Sequence, residues 1–179
     1  MRVLIVDDES LIRMDLRDII ESCGHEVVAE GTNGVEALAL CKKHKPDIIL
    51  MDVKMPELDG IEAARQIGFH HEAPVVLLTS YSQQDLIDKA RDSGVYGYLI
   101  KPLREEQLVP TLEMALGRYK SDAQLREKMA ELEQSLEDRK IIQKGTGILM
   151  ELYSISEVEA YNRIRTLSTV SYTHLRAHE

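Results

Sequence analysis

Between residues 1 and 120, short apolar runs rich in β-branched residues alternate with longer stretches of helical period, and this alternation leaves few folds open. Arg2–Val6 reads as a strand. Ser10–Cys23 then places Leu11, Met14, Ile19 and Cys23, with Ile12, Leu16 and Ile20, at helical spacing until Gly24. The pattern repeats as a strand near Glu26–Glu30, a helix near Gly34–Lys43, a strand at Ile48–Met51 and a helix near Ile61–Phe69. It continues with a strand at Val75–Leu78, a helix near Gln83–Ser93, a strand at Tyr96–Ile100 and a helix from Arg104. Asn33-Gly34, Pro46, Pro56, Gly60, Pro74, Gly94 and Pro102 punctuate the joints. Strands that alternate with helices predict a parallel sheet covered on both faces. The first, third and fourth strands are apolar runs, as strands buried on both sides should be.

Acidic residues stand just past the strand ends. Asp7 and Asp8 follow the first strand and Asp52 follows the third. Ligands of open α/β sheets bind beyond the carboxyl ends of the strands, where the winding reverses, so the three carboxylates are expected to converge there. Clustered carboxylates repel unless a hard cation holds them, and an all-oxygen set suits Mg²⁺ rather than zinc. Thr79 follows the fourth strand with a hydroxyl, and Lys101 follows the fifth with a mobile cation. Pro102 suggests a turn that aims the lysine, for which a cis peptide is one form. Carboxylate nucleophile, hydroxyl, ammonium and cation are the parts needed to move a phosphoryl group onto aspartate. Each element alone is weak, since a strand-end Asp is often only a helix cap; together they are hard to obtain by chance.

Residues 1–120 resemble the receiver domain of two-component response regulators. The resemblance rests on Val6-Asp7-Asp8-Glu9, Met51-Asp52-Val53-Lys54-Met55-Pro56-Glu57-Leu58-Asp59-Gly60, Leu78-Thr79-Ser80 and Tyr98-Leu99-Ile100-Lys101-Pro102. It implies a flavodoxin-like fold with a five-stranded parallel sheet. It also implies that Asp52 is the phosphoacceptor for a sensor histidine kinase. Asp7 and Asp8 would hold Mg²⁺, Asp8 directly, with Asp52 and the backbone carbonyl of Lys54. Thr79 and Lys101 would contact the phosphoryl group, and Tyr98 would swing inward as Thr79 moves. Phosphorylation would then favour a homodimer. The resemblance implies no catalytic residue acting on a separate substrate.

Beyond Pro110 the pattern changes. Leu108, Leu112, Ala115 and Tyr119 follow 4-3-4 spacing, and Leu125, Met129, Leu132 and Leu136 repeat it after a break near Lys120–Gln124. One long helix, or two in series, with a short coiled-coil seam fits this spacing; a helix packed on its own domain is the plainer alternative. The linker helix is set at residues 121–138, with Glu131, Glu133, Glu137 and Asp138 as a solvated face, and a small all-α output domain at 139–168. Its first helix is expected to end around Lys144, with Gly145-Thr146-Gly147 as a soft spot. Ser156 and Glu159 have capping-box spacing, and Ala160, Tyr161, Ile164 and Leu167 form an apolar stripe.

Residues 139–168 resemble the ANTAR output domain, a small helical bundle that binds RNA hairpins and prevents transcription termination. The resemblance rests on Arg139-Lys140-Ile141-Ile142, Gly147-Ile148-Leu149-Met150, Ile155-Ser156-Glu157 and Glu159-Ala160-Tyr161 with Arg163-Ile164-Arg165. It implies RNA contacts from Arg139, Lys140, Lys144, Arg163 and Arg165. Gly145 and Thr146 depart from the Ala-Lys usual before the glycine of this motif, so one common basic contact is missing. Thr169–Glu179 departs altogether: Val170–Glu179 resembles a translated library adaptor and is expected to be non-native, with the third output helix missing.

Charge narrows the function. The net charge is −9, and residues 1–120 carry 14 basic against 21 acidic residues, which excludes a generally basic nucleic-acid binder. From Arg139 to Arg165 the balance reverses to five basic against three acidic residues, a modest patch that dimerisation would double. DNA is not the expected target. Two cysteines, Cys23 and Cys41, form no framework and suit a reducing cytoplasm. No run approaches the ~20 apolar residues of a membrane span. A phosphorylation-controlled dimer or interaction regulator without RNA binding is the alternative function.

Overall fold

The computed structural model describes residues 1–70, 72–80 and 94–175. The helix expected near Gln83–Ser93 lies outside the described residues. Five strands, β1 (Arg2–Val6), β2 (Glu26–Gly31), β3 (Ile48–Asp52), β4 (Val75–Thr79) and β5 (Val95–Ile100), pair in parallel in the order β2-β1-β3-β4-β5. Helices α1 (Ser10–Ser22), α2 (Gly34–His44) and α3 (Gly60–Phe69) alternate with them, followed by α4 (Glu105–Tyr153) and α5 (Glu157–Leu175).

The pleat divides the core cleanly. On one face Leu4, Val6, Ile49, Met51, Val75 and Leu77 pack with Ala37 and Cys41 of α2 and with Ala63, Ala64 and Ile67 of α3. On the other, Val3, Ile5, Ile48, Leu50, Val76 and Leu78 pack with Leu16 and Ile20 of α1 and with Leu108, Leu112 and Ala115 of α4. Val3–Val6 of β1, Ile48–Met51 of β3 and Val75–Leu78 of β4 are thus continuous apolar runs because both faces are covered. β2 and β5 are the edges and are only partly buried.

The loops that carry the site are set by local devices. Asn33 caps α2 by accepting from the Glu36 N–H, and Asp59 caps α3 by accepting from Glu62. Gly60 is required by close approach: a Cβ there would stand 2.0 Å from the Asp52 carbonyl oxygen. Glu57, with φ 65°, turns the loop between Asp52 and α3 through the left-handed region.

The chain divides into two compact units, Met1–Asp122 and Ala123–Glu179. The boundary falls within the break in the 4-3-4 spacing. Leu108, Leu112 and Ala115 are buried on the sheet, and Tyr119 stacks edge-on against Tyr96 at 5.3 Å. Leu125, Met129, Leu132 and Leu136 are instead 57–65% exposed. The first set is the packed-helix alternative realised, and the second is an uncovered stripe.

In the second unit, the expected helix end at Lys144 is overturned. α4 runs on through Gly145-Thr146-Gly147 to Tyr153. Thr146 turns its hydroxyl onto the Ile142 carbonyl at 2.8 Å, and Gly145 admits α5, since a Cβ there would meet Ile164 Cδ1 at 3.2 Å. The glycine serves helix packing rather than helix termination. The chain turns at Ser154, with φ 55°. The Ser156–Glu159 capping box then forms in full: the Ser156 N–H and Oγ donate to Glu159 Oε2, and the Glu159 N–H donates to Ser156 Oγ.

Candidate phosphoryl-transfer site

The strand order reverses between β1 and β3, which puts the ends of these strands beside one another. Asp7 extends the register of Ile5, Asp52 that of Leu50 and Lys101 that of Leu99, three residues on one face of the sheet. Their side chains meet. Lys101 Nζ stands 2.7 Å from Asp7 Oδ2 and 2.7 Å from Asp52 Oδ1. The remaining oxygens are held by backbone: Asp7 Oδ1 accepts from the Glu9 N–H at 2.9 Å, and Asp52 Oδ2 from the Lys54 N–H at 2.8 Å. Asp7 is fully buried and Asp52 is 8% exposed.

The electrostatics follow from two carboxylates sharing one ammonium. Burial pushes the Asp52 carboxyl above the usual carboxylate range, the Lys101 hydrogen bond and charge pull it back only in part, and Asp7 raises it further. Burial opposes the Lys101 charge, but its bonds to Asp52 and Asp7 outweigh that and hold it above its ordinary value. The cluster remains one cation short of neutral.

The expected convergence of three carboxylates is therefore realised for two. Asp8 continues the opposite parity, that of Val6, and is exposed at the rim. Among the described residues no three Asp, Glu, His or Cys side chains are gathered into a metal-holding group. The chemistry of the donor set still suits Mg²⁺: every available ligand is oxygen, and the buried pair carries excess negative charge.

Thr79 is 1% exposed, with its hydroxyl on the Ser80 carbonyl at 3.1 Å. Its own carbonyl accepts from the Lys101 N–H at 2.8 Å, which ties the ends of β4 and β5 together. The Lys101–Pro102 peptide is cis. Tyr98 is 43% exposed on β5. One residue at the site escaped every motif. Arg13 donates from a terminal guanidinium nitrogen to the Asp7 carbonyl at 2.7 Å and from Nε to Glu30 Oε2 at 3.1 Å. Its only sequence signal is the i, i+4 spacing with Arg17, which grips the same Glu30.

In the second unit, Arg139, Lys140, Lys144, Arg163 and Arg165 are all exposed. Lys140 pairs with Glu137 at 3.1 Å, and Arg163 lies over the Tyr153 ring at 5.7 Å from its centroid. No helix among the described residues is long and apolar enough to cross a membrane.

Comparison with known proteins agrees with this architecture. Residues 3–113 match the response regulator receiver domain, and residues 130–177 match the ANTAR domain, a span that runs into the Thr169–Glu179 stretch. The chain is 43% identical over 164 residues to the transcriptional regulatory protein PdtaR of Mycobacterium tuberculosis, covering 92% of this chain and 80% of that protein. It is 40% identical over 112 residues to the chemotaxis protein CheY of Thermotoga maritima, covering 62% of this chain and 93% of that one. Among solved structures, the signal receiver domain of a modulated diguanylate cyclase from Desulfovibrio desulfuricans G20 superimposes with a TM-score of 0.62 at 33% identity. It covers 67% of this chain and 96% of that one.

Proposed function

Because this chain belongs to the response regulators, with a receiver domain followed by an ANTAR domain, we propose that a sensor histidine kinase phosphorylates it on Asp52 and that the phosphorylated chain binds RNA hairpins to prevent transcription termination. The observation that carries this reading is the buried Asp7–Lys101–Asp52 bridge at the switch point of the sheet.

Asp52 is the nucleophile. Its carboxylate oxygen forms a bond to phosphorus as the bond from phosphorus to the kinase's histidine nitrogen breaks, and the imidazole leaves with that electron pair. Asp8, Asp7, Asp52 and the Lys54 carbonyl would hold Mg²⁺, which supplies charge stabilisation to the phosphoryl oxygens. Lys101 and the Thr79 hydroxyl then bond the new phosphate, which adds charge and acceptor oxygens at Asp52. These contacts exist only in the phosphorylated state, so they bias a two-state element, with Tyr98 turning inward as Thr79 moves. The phosphorylated form pairs as a homodimer and sets Arg139, Lys140, Lys144, Arg163 and Arg165 of two copies on one RNA. The chain accepts the group on its own aspartate and turns over no other substrate. The cytoplasm, where kinase and nascent transcript meet, is its compartment.

Asp52→Ala tests the first half. Acetyl phosphate with Mg²⁺ should add one phosphoryl group to the parent chain and none to the variant, read by intact mass; labelling of the variant refutes the assignment. Salt-dependent retention of hairpin RNA over duplex DNA tests the second. Replacing the five basic residues should weaken it. Phosphorylation-dependent dimers that ignore RNA would favour a regulator acting through protein contacts, a reading that the uncovered Leu125–Leu136 stripe supports.

A further inference from the structure

Asp7 is held at three points. Its two carboxylate oxygens are bound by Glu9 and Lys101, and its backbone carbonyl is bound by Arg13. Arg13 is in turn anchored. Its Nε donates to Glu30 of β2, and Glu30 is gripped from the other side by Arg17, one helical turn further along α1. The Arg13 side chain is only 16% exposed and that of Glu30 27%. Burial alone would raise the Glu30 carboxyl, but the Arg17 and Arg13 hydrogen bonds prevail and hold it below its ordinary range. The guanidinium is a rigid planar fork, so two of its nitrogens fix the distance between the edge strand and the turn after β1.

We infer that Arg13 is a positioning residue for the cation-binding turn: by bridging Glu30 to the Asp7 carbonyl, it fixes the Asp7–Asp8 backbone toward the divalent ion. This rests on the reading of Asp7, Asp8 and Asp52 as the Mg²⁺-holding set. Two features separate positioning from simple charge. First, Arg13 is a cation beside an acidic site, so deleting it on electrostatic grounds alone would tighten Mg²⁺ binding, whereas losing the fixed turn weakens it. Second, Arg17 shares Glu30 but has no bond to Asp7, so its removal probes the ion-pair cluster without releasing the turn. Arg13→Ala leaves no orphaned carboxylate, because Arg17 still holds Glu30.

The experiment is a calorimetric Mg²⁺ titration of the full-length chain at fixed ionic strength, using the parent, Arg13→Ala, Arg13→Lys and Arg17→Ala. Groups that orient metal ligands typically govern ~10-fold or more in metal affinity. Arg13→Ala should therefore raise the Mg²⁺ dissociation constant about tenfold. Arg13→Lys, which can reach one partner but not both, should fall between, and Arg17→Ala should stay within about twofold. In acetyl phosphate labelling, Arg13→Ala should need more Mg²⁺ for half-maximal rate while keeping its rate at saturating Mg²⁺. Unchanged or tighter Mg²⁺ binding in Arg13→Ala overturns the inference, as does an equal loss in Arg17→Ala. If Arg13→Ala does not fold, the contrast between Arg13→Lys and Arg17→Ala decides. A parent chain that takes up no Mg²⁺ refutes the underlying assignment of the site, a result distinct from any difference among variants.

Discussion

The unit Met1–Asp122 and the unit Ala123–Glu179 contain similar apolar residues and use them in opposite ways. In the first, Val3–Val6, Ile48–Met51 and Val75–Leu78 are 0% exposed. In the second, the buried residues among those described are Thr146 and Ala160, while Leu132, Ile141, Leu152, Tyr153 and Val158 are more than half exposed. A sheet presents two faces that helices cover within one short chain, whereas two helices can bury only the strip where they touch. The sheet unit therefore has its own core. The helical unit relies on local devices, such as the Ser156–Glu159 box, and its apolar stripe is uncovered.

The sharpest way to break this contrast is through glycine. Gly60→Ala drives a Cβ to 2.0 Å from the Asp52 carbonyl, a backbone atom that cannot yield cheaply. It should cost about 4 kcal/mol or more, or prevent folding of the first unit. Gly147→Ala meets nothing within 4 Å and should stabilise its helix by about 1 kcal/mol. Thermal melts followed by circular dichroism would show both, and a neutral Gly60→Ala would contradict the close approach on which the site loop is built.

Leucines give the next largest difference. Leu50→Ala, in a fully buried strand, should cost about 2–5 kcal/mol, whereas Leu132→Ala, 65% exposed, should stay within about 0.5 kcal/mol in urea unfolding of the unphosphorylated chain. An equal cost at Leu132 would mean that a second copy already covers the stripe.

The smallest effect compares two helix caps. Asp59→Ala and Ser156→Ala each remove a side-chain cap, at about 1 kcal/mol apiece. α3 is pinned by buried Ala63, Ala64 and Ile67, so its amides should keep their exchange protection. The first turns of α5 should lose theirs in hydrogen exchange. Equal protection in both would show that α5 is held by more packing than the buried Ala160 supplies.

Much of this was legible in the residue order. The five strands, the punctuating glycines and prolines, and the capping box at Ser156 lie where period and spacing place them, because these signals are local. So do Asp7, Asp52, Thr79 and Lys101 at strand ends. What failed was also physical in origin. Gly145-Thr146-Gly147 reads as a helix end, since glycine lowers helix propensity. At Gly145 a tertiary reason stands beside that penalty, since a Cβ there would crowd Ile164, a residue nearly twenty positions away. Likewise, one 4-3-4 spacing describes both a helix packed on a sheet and an uncovered seam, and only the presence of a neighbouring surface distinguishes Leu112 from Leu132.

By itself, then, the sequence determined the alternation of elements, the switch-point fold and the identity of the groups at the strand ends, because hydrophobic period and turn chemistry act over a few residues. The tertiary structure decided which of those groups meet. The pleat carries Asp7, Asp52 and Lys101 to one face and leaves Asp8 at the rim. It also brings Arg13 onto the Asp7 carbonyl through Glu30, a residue of another strand. Such contacts depend on register between elements far apart in the chain, which no local pattern encodes.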